Sequence, residues 1–526
     1  MTKYLMFQGT SSHVGKSILT TALCRIFFRE GKHVAPFKAQ NMALNSFVTA
    51  DGGEMGRAQV AQAEAAGIAP RVEMNPVLLK PTGNQTSQVI INGHPVGVMS
   101  AAEYHQAYAL KAFDAVKSAL DKLSAEFDTI VIEGAGSPAE VNLKANDIVN
   151  MRVAKHLNAP VILVADIDRG GCLASIVGTL ELLDDDERAL VKGLIINKFR
   201  GDVNLFLPAV EFLERKTQKP VLGIIPYIDK LGVDDEDSVS LDDKISSGAG
   251  DVTIAVVRLG KLSNFTDFDS LAGEEDVKLF YATTPDELDA ADVIILPGSK
   301  NTSEDLIALR EGGFVEKILE RHSRGAAIVG ICGGFQMLGK KIFDPLKTES
   351  AHAELDGLGL LPLETTFAAE KLTRQVTLDV DFNFLGNRIV GKNLDGYEIH
   401  AGTTKAYLTQ NADFDRGIFS ALLNNSTAKT LPPFNAPNYF AECDRRLSEQ
   451  KIISGGNVFG TYVHGIFDND DFRRQFLDAV RYSKHLPPLE FVRNFRAEKQ
   501  KNYDRLATVV RENLNMKLLA EIMSQS

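Results

Sequence analysis

The sequence predicts an α/β protein of two domains, each a mainly parallel sheet covered by helices, and three observations carry that prediction. Short apolar runs ending in Gly or Asp alternate with helical patterns at 129–132, 161–165, 194–196 and 221–225. The rhythm then stops in an acidic, small-residue stretch and restarts at 252–257, 277–281, 293–296 and 326–331. A chain of 526 residues is also long enough to bury more than one core. Strand and helix alternating in this way build a parallel sheet with helices on its faces.

The first element is the apolar, strand-like run Tyr4-Leu5-Met6-Phe7, which leads into Gly9-Thr10-Ser11-Ser12-His13-Val14-Gly15-Lys16-Ser17. A Gly-rich turn that opens a helix aims backbone N–H groups and the positive helix end at phosphate oxygens. Gly9, Thr10 and Gly15 form the expected cradle, Lys16 reaches the outer phosphates, and the Ser17 hydroxyl suits Mg²⁺. Five residues separate Gly9 from Gly15 where the usual phosphate loop has four. The helix that follows puts Ile18, Leu19, Ala22, Leu23, Ile26 and Phe27 on one face, to be packed on the sheet, and stops at Gly31.

Later strands of this domain deliver polar residues to their C-terminal ends, where open parallel sheets build their sites. Glu133, in Ile132-Glu133-Gly134-Ala135-Gly136, is a candidate Mg²⁺ ligand and equally a helix cap. Asp166 and Asp168 occupy the same kind of position and serve the metal, the nucleotide or the fold. Asn197 carries the amide needed to read an adenine edge, and is equally a turn residue.

The acidic and small residues of 236–250 read as a linker. The expected organisation is a nucleotide-binding, carboxylate-activating domain at 1–235 and a second domain at 251–485. The second carries a polar insertion at about 405–455, and a charged, helical extension follows at 486–526. In the second domain, Val329-Gly330-Ile331-Cys332-Gly333-Gly334-Phe335-Gln336 sets a thiol between strand and helix. Glycines permit the sharp elbow that exposes the thiol, and the helix N-terminus favours the thiolate and offers oxyanion donors such as the Gly333 N–H. Leu296-Pro297-Gly298-Ser299-Lys300 is a second oxyanion-type turn, with Gly298 and Ser299 as candidates. His464, in Gly460-Thr461-Tyr462-Val463-His464-Gly465, is the candidate base, with His400 as its rival.

Bulk properties narrow the partners. A formal net charge of −12 gives no basic footprint for nucleic acid or an anionic membrane, and no apolar run approaches membrane-spanning length. The N-terminus runs straight into the phosphate-loop strand without a signal sequence, so a cytoplasmic protein is expected. Cys24, Cys172, Cys332 and Cys443 lack paired or metal-ligand spacing, and three of them read as ordinary core or surface residues. A homo-oligomer is compatible with the sequence.

The thiol segment, the Tyr-Val-His-Gly segment and Leu-Pro-Gly-Ser resemble a class I glutamine amidotransferase domain. The phosphate loop resembles that of dethiobiotin synthetase and its relatives, of P-loop NTPase-like fold. The runs 36–46, 52–59, 74–81 and 165–171 make the chain, over nearly its whole length, similar to the cobyric acid synthases. That resemblance implies amidation of four carboxylates (b, d, e and g) of adenosylcobyrinic acid a,c-diamide, using glutamine, ATP and Mg²⁺. It implies Cys332 as the nucleophile, His464 as its base, Gly15, Lys16 and Ser17 as phosphate and metal contacts, and Glu133 as the Mg²⁺ ligand. Lys38 resembles the catalytic lysine of dethiobiotin synthetase and would stabilise the transferring phosphoryl group.

One position departs from the amidotransferase pattern. Ile466 stands where many such domains have a Glu two residues after the His, which leaves Asp468 and Glu398 as candidate orienters, or a dyad. Arg57, Lys80, Arg169 and Arg200 are candidate cations for an acidic acceptor. Three other readings share modules with this one: the a,c-diamide synthases, the cell-wall amidotransferases and the partitioning ATPases. The last has no use for Cys332.

Overall fold

The computed structural model describes residues 2–83, 85–229, 231–232, 250–406 and 451–524. The expected linker 236–250, apart from Gly250, and the 407–450 part of the expected insertion lie outside the described residues. The chain divides into two compact units, and both are discontinuous. The first comprises Met1–Ala43, Gly53–Glu236 and Arg496–Ser526, and the second Leu44–Gly52 and Asp237–Phe495.

In the first unit a six-stranded sheet runs in the order Val221–Pro226, Val191–Phe199, Val161–Asp166, Lys3–Gly9, Thr129–Glu133, Val34–Phe37. Every pair in it is parallel. Because Lys3–Gly9 lies between Thr129–Glu133 and Val161–Asp166, the loop after Gly9, Glu133 and Asp166 all emerge at one sheet edge. The helix Lys16–Arg29 buries Leu19, Ala22, Leu23, Ile26 and Phe27 as the periodicity requires. Each of the Leu, Ile and Phe side chains contributes roughly 1.5–3 kcal/mol when fully buried. Gly31, at φ 76°, turns the chain out of the helix.

Two features of this unit depart from the sequence expectation. The 486–526 segment was expected as an extension, yet from Arg496 onward it groups with the first unit. Tyr503, Leu506, Val510, Leu519 and Ile522, from helices Phe495–Glu512 and Met516–Met523, share one core with Leu5, Leu23 and Phe27. Buried Arg25 anchors the first of these helices, donating to Asp504 Oδ1 at 2.8 Å. The second feature is a small sheet ordered Gln40–Met42, Val77–Gly83, Thr86–Ile91, His94–Ser100. Its hairpin turns at Asn92 (φ 48°) and Gly93 (φ 82°), a pair suited to the left-handed positions of a tight hairpin.

The second unit has its own six-stranded sheet, ordered Val277–Ala282, Val252–Val257, Val293–Leu296, Ala327–Ile331, Val458–Thr461, Ile452–Gly455. It is parallel except at its last pair. A long hairpin of strands Leu363–Phe384 and Asn387–Ala406 dominates a further sheet, with the short strand Val463–His464 paired at Tyr397 and Glu398. Phe382 and Phe384 from the hairpin pack with Phe459, Phe472 and Phe476 in one buried cluster. His464 therefore leaves the parallel sheet at Thr461 and is locked two residues later against the hairpin.

Candidate active sites

The phosphate loop of the first unit is closed by contacts within the loop and from neighbouring strands. Gly15 has φ 97°, and a Cβ there would lie 2.1 Å from Asn197 Nδ2, so only glycine fits. The Asn197 amide donates to Val14 O at 2.8 Å. Asn197 thus braces the phosphate loop. Thr10 N donates to Val164 O at 2.9 Å, which extends the sheet by one bond into the loop. Near Gly9, a Cβ would sit 2.9 Å from Lys16 Nζ, so the strand end and the lysine are tightly apposed. Lys16 Nζ donates to Ser11 O at 3.1 Å and to Gly136 O at 3.2 Å.

Glu133, fully buried, collects three donors. Its Oε1 accepts from Ser17 Oγ at 2.8 Å and from Lys38 Nζ at 2.9 Å, and its Oε2 accepts from Gln62 Nε2 at 2.6 Å. Gln62 went unnoticed in the sequence because a glutamine inside an Ala-rich helix (Arg57–Ala65) carries no spacing signal. Asn150 was missed too. Its Nδ2 donates to Ala135 O at 2.7 Å and its Oδ1 accepts from Ala135 N at 3.2 Å, fixing the turn after Glu133. Asp166 Oδ2 pairs with Lys198 at 2.9 Å, and Lys198 donates to His13 O at 2.7 Å, so this carboxylate props the loop tip. Asp168 pairs with Arg200, whose guanidinium lies 3.4 Å from the Tyr227 ring centre.

Beside this centre is a cavity of about 840 Å³ whose wall includes Gln40, Met42, Tyr104, Gly136, Val141 and Leu143. Of the cations considered for an acidic acceptor, Lys80 is buried and paired with Glu54 at 2.6 Å, and Arg57 is buried. Arg169 is exposed. Cys24 and Cys172 are buried in the first unit, and burial pushes both thiols up, Cys172 to about 11. Cys443 lies outside the described residues.

In the second unit Cys332 joins strand Ala327–Ile331 to helix Gly333–Met337 with φ 52° and ψ −106°, a strained elbow for a residue with a side chain. Its N–H donates to Thr461 O at 2.8 Å and its thiol to Ile399 O at 3.5 Å. Gly334 is packed so closely that a Cβ would fall 1.9 Å from Leu296 O. The two oxyanion turns meet here. A Cβ on Gly333 would lie 2.9 Å from Ser299 N, and one on Gly298 3.2 Å from His464 Cε1. The Ser299 hydroxyl donates to Asp305 Oδ2 at 2.5 Å, so the main chain of this residue, and not its side chain, is what the turn presents.

His464 is almost fully buried, and its Nδ1 lies 2.6 Å from Asp267 Oδ2, while Asp267 Oδ1 accepts from Gly465 N at 3.0 Å. Burial disfavours the imidazolium, but the charges of Asp267 and of the adjacent Cys332 outweigh it and lift His464 to about 10. The carboxylate that His464 meets is therefore Asp267, and not Asp468 or Glu398. Glu398 holds Arg374 at 2.6 Å and Lys451 at 2.5 Å. Ile466 is buried in the apolar core, which explains why no carboxylate stands there. His400 stacks on Tyr462 with ring centres 3.6 Å apart, and burial pushes it down to about 4. Asp267 sits in the short turn Phe265–Phe268, and the one signal it gave was an acid set between two buried phenylalanines.

Comparison with known proteins matches both halves. Residues 5–239 fit the CobQ/CobB/MinD/ParA nucleotide binding domain, and residues 253–472 fit the CobB/CobQ-like glutamine amidotransferase domain. The chain is 50% identical over 527 residues to the cobyric acid synthase of Moorella thermoacetica, covering 99% of this chain and 98% of that protein. It is 50% identical to that of Carboxydothermus hydrogenoformans, over 99% of this chain and all of that protein. With that of Dehalococcoides mccartyi it shares 47%, over all of this chain and 99% of that protein. Full-length likeness at this level, joined to a nucleotide-binding half and an amidotransferase half, means that the chain belongs to the cobyric acid synthase family of glutamine-hydrolysing ligases in cobalamin biosynthesis.

Proposed function

We propose that this chain amidates four peripheral carboxylates (b, d, e and g) of adenosylcobyrinic acid a,c-diamide, with ATP activating each carboxylate and glutamine supplying the nitrogen. The supporting observation is one chain that holds Glu133 gripped by Ser17, Lys38 and Gln62, and also Cys332 beside a His464–Asp267 pair.

Ser17 Oγ and Glu133 Oε1, 2.8 Å apart at the phosphate loop, are hard oxygen donors that fit Mg²⁺ completed by phosphate oxygens and water. Among the described residues no cluster of three His, Cys, Asp or Glu forms a rival metal site. Bound there, Mg²⁺ supplies neutralisation of phosphate charge. Lys16 and Lys38 hold further positive charge where negative charge develops on the transferring phosphoryl group and the departing ADP. The acceptor sits in the cavity beside the loop. Gly136, whose carbonyl accepts from Lys16, is part of its wall, so a carboxylate inside reaches the phosphate centre. Exposed Met42, Val141 and Leu143 suit the apolar face of a macrocycle, while Lys144 and Lys155 on the same wall are ion-paired with Asp184, Asp186 and Glu187.

A carboxylate oxygen attacks the γ-phosphorus, the bond to the bridging oxygen breaks, and an acyl phosphate and ADP form. At the other centre the Cys332 sulfur attacks the glutamine side-chain amide carbon. The oxyanion accepts from the main-chain N–H groups of Ser299 and Gly333, and His464 delivers its proton to the departing nitrogen. Water cleaves the glutamyl thioester to glutamate. The released ammonia adds to the acyl phosphate carbonyl, and phosphate leaves. A Cys332→Ala variant is expected to lose glutamine-driven amidation and keep amidation driven by ammonium salts. Loss of both would contradict this division of labour.

A further inference from the structure

Ser299 stands in the second oxyanion turn, yet its hydroxyl takes no part in the chemistry proposed above, because it donates to Asp305 Oδ2 at 2.5 Å. The same hydroxyl accepts from Asn301 N at 3.0 Å. On its other side the turn is fastened to residues 261–263. Ser263 N donates to Gly298 O and Lys300 N donates to Lys261 O, each at 2.9 Å, which makes Leu262 and Ser299 an antiparallel bridge. Bonds placed to either side of Ser299 leave its own N–H pointing away from that segment. It emerges beside Gly333, where a Cβ would lie 2.9 Å from the Ser299 nitrogen. Among the described residues, neither the Ser299 N–H nor the Gly333 N–H meets a protein acceptor.

Asp305 closes this arrangement. Its buried carboxylate accepts from Ser299 Oγ and also from Lys261 N, at 3.1 Å to Oδ1 and 3.2 Å to Oδ2. One side chain therefore grips both sides of the bridge. The helix that carries it, Thr302–Glu311, is itself fixed. Leu306 and Leu309 are buried in the core, Asn301 Oδ1 accepts from Glu304 N at 3.1 Å, and Glu349 Oε2 accepts from Thr302 N at 2.8 Å. Lys261 begins the stretch that runs on to Asp267, whose carboxylate meets His464 Nδ1 at 2.6 Å. The Asp305 carboxylate thus sets the oxyanion turn against the segment that holds the histidine.

We infer that Asp305 is a positioning residue for glutamine hydrolysis: through the Ser299 hydroxyl and the Lys261 N–H it aims the Ser299 main-chain N–H at the oxygen that becomes negative as the Cys332 sulfur bonds to the amide carbon. This rests on the amidotransferase chemistry proposed above. An oxyanion donor works by being fixed beforehand where charge develops. A donor that drifts loses transition-state stabilisation, while the substrate carbonyl, which carries less charge, is bound almost as before. The hydroxyl of Ser299 has a reason in the same bond, since an alanine there would leave a buried carboxylate one donor short.

The test measures glutamate release from glutamine by the full chain and, in parallel, the rate at which iodoacetamide alkylates Cys332, read by peptide mass mapping. Alkylation displaces iodide from a saturated carbon and builds no oxyanion, so it reports the thiol and its histidine alone. Asp305→Asn keeps the shape of the side chain and spoils the acceptor for the Ser299 hydroxyl. Ser299→Ala cuts the same bond from the other end and leaves Lys261 held, so it reads the proposal even where Asp305→Asn does not fold. Each is expected to lower kcat by about 10–100-fold, short of the roughly 10²–10³-fold cost of deleting a donor outright, with KM for glutamine and the alkylation rate unchanged. The double variant is expected to lose no more than either single one, because both remove one bond. A kcat within about twofold of wild type in Ser299→Ala, losses that multiply in the double variant, or a fall in kcat matched by the alkylation rate overturns the role of Asp305 alone. A wild-type chain that releases no glutamate overturns the amidotransferase centre, and the role of Asp305 with it.

Discussion

At His464 the imidazole is held through Nδ1 by Asp267 and stacked by Tyr397, which leaves Nε2 as the nitrogen free for proton traffic with Cys332 and its substrate. Asp267→Asn keeps the size of the side chain but removes the charge that favours the imidazolium. Glutamine hydrolysis is expected to fall by about 10²–10⁴-fold, with ammonium-driven amidation unchanged. A loss below about tenfold would show that Cys332 and His464 act as a dyad. Sequence reading reached Cys332 and His464 because each sits in a local motif. It missed Asp267 because 197 residues separate it from its histidine, and only the fold brings them together. Glu349 gives a pH prediction at the same scale. Burial pushes it up to about 7, partly opposed by Lys300 and by the N–H groups of Ser303 and Thr302. A carboxyl raised above its ordinary 4.5 contributes stability that is fully present below that value and lost as pH rises through about 7. Glu349→Gln should therefore show a smaller fall in Tm than the wild type between about pH 5 and about pH 8. Parallel Tm curves would contradict it.

Among elements, most parallel strands were legible, since a strand buried on both faces is an uninterrupted apolar run with Gly or Asp at its end. Val191–Phe199 nevertheless runs three residues past the expected 194–196 at each end, and Val34–Phe37 and Val458–Thr461 were not anticipated. The expected 252–257 and 293–296 are the observed Val252–Val257 and Val293–Leu296. The long hairpin Leu363–Ala406 was not legible. Only one of its faces is buried over much of its length, and polar residues such as Lys371, Arg374 and Lys392 hide the alternation. The C-terminal helices were seen as helices and misread as an appendage, because their apolar stripe does not say which core it fills. Leu506→Ala is expected to destabilise the first unit by about 2–5 kcal/mol, as for a fully buried leucine. Urea unfolding followed by loss of ammonium-driven amidation would read it, with glutamine hydrolysis the more resistant activity. A cost under about 1 kcal/mol would mean that these helices do not share the core.

For the molecule as a whole, both chemistries were legible and the path of the chain between them was not. Spacing motifs mark where phosphate and thiol chemistry lie. No local pattern says that 44–52 leaves the first unit and returns at Gly53, because a nine-residue excursion of mixed polarity looks like any loop. On the proposed function, the two sites of one chain carry out one reaction four times. Mass spectrometry of adenosylcobyrinic acid a,c-diamide incubated with the protein, Mg²⁺-ATP and glutamine reads this out, since each exchange of OH for NH₂ lowers the mass by about one unit. Four successive steps, each matched by one glutamate and one ADP, are the result expected. An unshifted acceptor mass with glutamine still hydrolysed would overturn this function and assign the amidating centre another acceptor.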